Sequence, residues 1–146
     1  MKQTYRVLAG LIAVGVVVQA AALAYGWFSL LHQLDNGRTI GKSYDGNAGH
    51  ALHGIVGTAV IPLLALVLLG VSFFAKIEKG IALAGALLAS IVLQIALAFI
   101  GFSVAFVGAL HGINALVVLG VAVAAARQAQ TSMTTVPVET REAAAV

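Results

Sequence analysis

The residues of this chain with chemistry to offer are two histidines that share a word. Ala51-Leu52-His53-Gly54-Ile55 and Ala109-Leu110-His111-Gly112-Ile113 are the same five residues, each near the start of a long apolar stretch. A histidine in such a stretch is expensive and is a candidate functional site. Two in the same local setting point to one site built from two facing sides. Neutral imidazole is a strong donor, and two of them across one iron suit a low-spin haem, which passes electrons without an open coordination position. His53 and His111 are therefore read as the axial ligands of one b-type haem. The competing reading makes them hydrogen-bonded packing residues, which membrane bundles also use.

A porphyrin is a wide flat plate, so helices that hold it need small residues beside the ligand. Gly54 and Gly57 flank His53, and Gly108 and Gly112 flank His111. Glycine inside a helix costs roughly 1 kcal/mol relative to alanine, so this density asks for a reason. Close helix packing is one reason, and plate access is another. Glycine beside a histidine, twice, favours the plate. The haem propionates are expected to point outward, toward Arg38, Lys42 and His50, with arginine the best carboxylate partner.

These residues need elements to hold them. The chain has 146 residues, 61% hydrophobic and only 9% charged. Soluble domains carry about a quarter charged residues, so this composition belongs to a membrane protein. No formal charge occurs from Val7 to Leu34, from Gly46 to Ala75, or from Gly80 to Ala126. A span takes about 20 apolar residues, and the third stretch would run roughly 70 Å as one helix, so it must turn back. Gly101-Phe102-Ser103 is the place for that turn. The expected fold is an all-α, polytopic membrane four-helix bundle with spans at about 7–32, 48–75, 80–101 and 104–127. Residues 128–146, mixed in Gln, Thr, Ser, Pro and Glu, are expected to form a disordered tail. The first span has features of a signal peptide, but it stays apolar beyond Ala22-Leu23-Ala24 and is read as a structural helix.

A second repeat lies one helix before the first. Gln19 is followed seven residues on by Gly26, and Gln94 seven residues on by Gly101. Each half then reads glutamine, glycine, turn, ALHGI. Two helical hairpins related by a pseudo-two-fold axis along the membrane normal follow from this, with His53 and His111 on opposite sides of a central space. The Lys76-Ile77-Glu78-Lys79 connection makes spans two and three antiparallel neighbours. Pro62 frees the carbonyl near Thr58 and predicts a mild kink. Counted from the charges at the far ends of their spans, the histidines differ in depth by roughly 10 Å, the weakest point of the pairing. Asn114 is placed to orient His111 or to bond an adjacent helix, and Gln19 and Gln94 to face the interior. His32 is read as an interfacial residue.

Lys2, Arg6, Lys76, Lys79, Arg127 and Arg141 fall on one side of the four-span arrangement, and Arg38 and Lys42 on the other. The positive-inside rule then puts both termini in the cytoplasm of a cell with this chain in its inner (plasma) membrane. The net charge of +3 is scattered at span ends, so no nucleic-acid surface is expected. Without cysteine there is no disulfide, thiolate metal site, iron–sulfur cluster or c-type haem attachment.

On these residues the chain resembles the four-helix bis-histidine haem b membrane proteins, such as the cytochrome b561 type and each four-helix half of haem A synthase. It also resembles small four-helix membrane proteins of actinobacteria, which carry a histidine near the start of helix two and an L-H-x-x-N-A-L stretch in helix four. Here that stretch is Leu110-His111-Gly112-Ile113-Asn114-Ala115-Leu116. The resemblance covers the four spans and implies haem ligation by His53 and His111. No span holds the glutamate that haem A synthases use, which argues against haem A synthesis. The expected function is electron transfer, or service as a small subunit of a larger respiratory or redox complex or homo-oligomer, with a quinone as a candidate partner. Two rivals stand beside it. One is a cofactor-free structural or assembly subunit. The other is an outer-face copper or zinc site made by His32, His50, His53 and His111. A nucleophile–base–orienter set is absent, so a stand-alone enzyme on soluble substrates is not expected.

Overall fold

The computed structural model describes residues 1–134. Four helices, α1 Lys2–Asp35, α2 Ala48–Ala75, α3 Gly80–Gly101 and α4 Ala105–Thr134, are each long and apolar enough to cross a membrane. At most 22% of the most apolar window of any helix is buried. Outward side chains such as Phe28, Phe74, Phe99 and Phe106 are exposed, as lipid-facing side chains are when no bilayer surrounds them. The chain is thus an all-α membrane bundle, and it turns back at Gly101-Phe102-Ser103 as the charge spacing requires.

Each helix packs against the next, and α4 closes the ring on α1, so α2 and α4 face one another across the diagonal. Two outer helices run on past the apolar limits. α1 takes in Lys2 to Arg6 because Tyr5 is wholly buried and donates its hydroxyl to the Gly80 carbonyl at 2.8 Å. α4 runs on through Gln128 to Thr134, which corrects the expectation of a disordered tail from Gln128. Ala125 and Ala129 lie fully buried on its inner face, and Lys2 Nζ donates to Ser132 O at 2.8 Å. The rest of the expected tail, 135–146 with Arg141, lies outside the described residues.

The core is concentrated at the end where the two helix termini meet. Tyr5, Ile12, Leu68 and Leu87 are its largest fully buried side chains, and Ala9, Ala65, Ala84 and Ala122 let the backbones approach. Toward the other end this packing stops at Ile61, Ile91 and Val118, which are also the floor of a cavity.

α2 starts on a capping box. Asn47 accepts from the Gly49 and His50 amides, and His50 Nδ1 accepts from the Asn47 amide. Asn47 Nδ2 also donates to Gly26 O at 2.7 Å, tying the cap to α1. Just before Pro62 the helix widens into one π-helical turn, Val56–Val60, in which the Ile61 amide reaches back to Val56 O. The missing proline N–H is absorbed by this turn, and the Thr58 hydroxyl bonds Gly54 O at 2.7 Å.

Candidate functional site

His53 lies on the second turn of α2 and His111 on the second turn of α4. Their ring centroids are 6.1 Å apart, with 62° between the planes. The expected difference in depth is absent, because α4 extends seven residues beyond Arg127 and so reaches as far from its histidine as α2 does.

The two hairpins hold their histidines in the same way. His53 Nδ1 is 3.1 Å from the main-chain carbonyl of Gln19, on α1, and His111 Nδ1 is 2.9 Å from that of Gln94, on α3. A carbonyl only accepts, so each neutral ring carries its proton on Nδ1 and keeps the Nε2 lone pair for another partner. The glutamine–histidine pairing follows the pseudo-two-fold relation of the sequence. The glycines repeat too. A Cβ on Gly26 would stand 3.1 Å from His50, and one on Gly101 would stand 2.9 Å from the Cα of Gly108, the residue that matches His50 in the second hairpin.

Beyond the carbonyl bonds the halves diverge. Gln94 Nε2 donates to His111 Nε2 at 3.2 Å, and Gln94 Oε1 accepts from Asn114 Nδ2 at 2.7 Å. Asn114 uses its other N–H on Ser90 O at 2.9 Å. In the first hairpin Val56 stands where Asn114 stands in the second. Gln19 is buried, yet neither polar atom of its amide has a hydrogen-bond partner. Its Nε2 lies where a side chain on Gly57 would be, 2.9 Å from that position. The sequence contained this signal, since Val56 and Asn114 both lie three residues beyond their histidine, but only the structure gives it meaning. The π turn and the two carbonyl acceptors were not readable from the sequence.

A cavity of about 790 Å³ opens between the helices around the two imidazoles. Pockets for cofactor-sized ligands run about 300–1,000 Å³ and are mostly apolar with a few polar groups, as here. Of the residues singled out in the sequence, His53, His111, Gly54, Gly57, Gly112, Gln19, Gln94 and Thr58 line it. A Cβ at Gly54 or Gly112 would meet nothing within 4 Å, so both open onto free space. Gly108, Arg38, Lys42 and His50 are not in the lining. Gly108 serves the contact with Gly101. His50 is a helix cap, with Trp27 edge-on at 5.4 Å. Arg38 lies in the exposed loop between α1 and α2, hydrogen-bonded to Gln33 Oε1 and 5.9 Å from the Tyr44 ring centre, and Lys42 is exposed in the same loop. His32 is exposed and bonded to Asn36. Among the described residues no group of three or more His, Cys, Asp or Glu is placed to hold a metal ion.

The 6.1 Å ring spacing is of the size that two imidazoles on one metal ion take, with His111 Nε2 here engaged by Gln94 Nε2. Two imidazoles sharing an ion through Nε2, each about 2 Å from it, hold their ring centres about 6 Å apart. Compared with known proteins, the chain matches no family, no curated protein and no solved structure.

Proposed function

We propose that His53 and His111 are the axial ligands of one b-type haem, and that the protein is a small electron-transfer cytochrome or an accessory subunit of a larger membrane redox complex. The observation that carries this reading is the imidazole pair itself, with ring centroids 6.1 Å apart and both Nδ1–H groups held on carbonyls. Bound there, a haem supplies one-electron chemistry at an iron with no open position. The chain's own part is to present two basic nitrogens at fixed depth. The Gln19 and Gln94 carbonyls orient the rings, as partners behind metal-bound histidines do. The Gln94 amide would have to leave His111 Nε2 for that nitrogen to serve as a ligand. Gly54 and Gly112 leave room beside each ligand. The cavity is floored by Ile61, Ile91 and Val118, so a carrier at this level needs a partner protein or a quinone to complete transfer across the bilayer. By the charge distribution both termini lie in the cytoplasm of a cell with this chain in its plasma membrane.

One observation favours a cofactor-free packing role instead. His111 is already fully satisfied by Gln94, as a structural polar network would leave it. A dithionite-reduced minus oxidised absorption spectrum separates the two. Protein purified from haem-replete cells should give sharp alpha and Soret bands, lost in both His53→Ala and His111→Ala. A colourless protein would sink the cytochrome reading.

A further inference from the structure

A second site lies at the opposite end of the bundle from the histidine cavity, between α1 and α4. A groove of about 290 Å³ runs there, with Arg6, Gly10 and Ala13 on one wall and Val123, Arg127 and Gln130 on the other. The spacing is helical on both sides. Gly10 and Ala13 follow Arg6 by one and two turns, Val123 precedes Arg127 by one, and Gln130 follows it by one. The groove is therefore polar at its mouth and lined by small apolar residues as it enters the span. A Cβ at Gly10 would meet nothing within 4 Å, so the groove is open at that point.

Its charge is unbalanced. Neither guanidinium has an ion pair or a side-chain hydrogen bond among the described residues. The nearby cation Lys2 is committed to Ser132 O. Asp35 and Asp45 belong to the far end of the bundle, and Glu78 to the connection between α2 and α3. Two arginines converge on one mouth with no carboxylate described beside them. A guanidinium offers a planar fork of donors that matches phosphate oxygens, and basic pockets between spans hold lipid head groups.

We propose that this groove binds an anionic phospholipid, with its phosphate between Arg6 and Arg127 and an acyl chain along Gly10, Ala13 and Val123. The depth selects a lipid over free phosphate, since the apolar wall beneath the arginines has no use for an inorganic ion. This inference does not depend on the haem reading.

Native mass spectrometry of the full-length protein, extracted from vesicles of equal phosphatidylglycerol and phosphatidylcholine, tests it. The wild type should retain phosphatidylglycerol over phosphatidylcholine. Retention should fall about fivefold for each arginine removed in Arg6→Gln and Arg127→Gln. Arg6→Lys/Arg127→Lys should retain an intermediate amount, because it keeps charge and loses the fork. The double variant Lys76→Gln/Lys79→Gln, at the same end of the bundle but on the α2–α3 side, should leave retention unchanged. An equal fall there would overturn the site in favour of general surface charge. Loss of the wild-type adduct in millimolar inorganic phosphate would also overturn it. So would retention that rises severalfold only in Glu139→Gln/Glu142→Gln, which would make the chain's own carboxylates the occupant.

Discussion

Gln19 and Gln94 stand at equivalent places in the two hairpins, and each lends its main-chain carbonyl to a histidine, yet their side-chain amides differ. Gln94 is bonded at both ends, to His111 and to Asn114. Gln19 is buried with neither end bonded. Leaving a buried polar group unmade costs about 1–3 kcal/mol, so the first hairpin carries a penalty that the second avoids. The repeated word set the geometry of both histidines, and Val56 against Asn114 removes from the first hairpin the partner that Gln94 Oε1 has in the second. The second hairpin reads as a finished polar network. In the first, His53 presents a free Nε2 to the cavity beside the π turn, and π turns of this kind recur at functional sites. The asymmetry leaves His53 Nε2 open and His111 Nε2 guarded by Gln94.

The strongest way to break the comparison is to make the second hairpin resemble the first. Asn114→Val removes the partner of Gln94 Oε1 and the donor to Ser90 O inside a buried layer. It should destabilise the haem-free protein by about 2 kcal/mol. Thermal unfolding in detergent measures it, and an unchanged midpoint would show that the network contributes nothing.

The sharper test is a pair of identical changes with opposite signs. Gln94→Leu strips His111 and Asn114 of a shared partner and should cost about 1–2 kcal/mol. Gln19→Leu removes an amide that has no partner and fills the same space with carbon, so it should be neutral or stabilising by up to about 1 kcal/mol. Equal losses in the two variants would mean that Gln19 is bonded after all and that the hairpins are alike.

The reverse graft is smaller in effect. Val56→Asn gives Gln19 the neighbour that Gln94 has, and should raise stability by about 1 kcal/mol, net of the apolar packing that Val56 gives up. A loss combined with an unchanged Gln19 environment by amide NMR would show that position 56 cannot reach it.

Much of this arrangement was legible beforehand, for identifiable reasons. Charge-free stretches longer than a bilayer are unambiguous, so the four spans and the turn at Gly101 were readable. The helix ends were not. Tyr5 and Ala129 extend their helices through tertiary burial beside polar residues, and composition records polarity but not contact. His53 and His111 were readable as a pair because a repeated word in a repeated setting implies a symmetric place. His50, Arg38 and Lys42, read as propionate partners, do not line the cavity; a capping box holds His50 and a bond to Gln33 holds Arg38, contacts that sequence distance does not record. Gly108 was grouped with Gly54 and Gly112 as a glycine flanking a histidine. In space it lies one turn before His111, at the α3–α4 contact with Gly101.

That distinction among the glycines supplies the smallest and most selective prediction. Gly54 and Gly112 border open space, whereas a Cβ on Gly101 would press on the Gly108 backbone at 2.9 Å. Gly54→Ala and Gly112→Ala should each stabilise the haem-free protein by up to about 1 kcal/mol, since alanine is the better helix former and nothing obstructs it. In haem-replete cells the same two variants should lower the Soret intensity per protein, because each new methyl intrudes where the plate is proposed to lie. Stabilisation with an undiminished spectrum would separate the glycines from the cofactor and leave only the imidazoles to define the site.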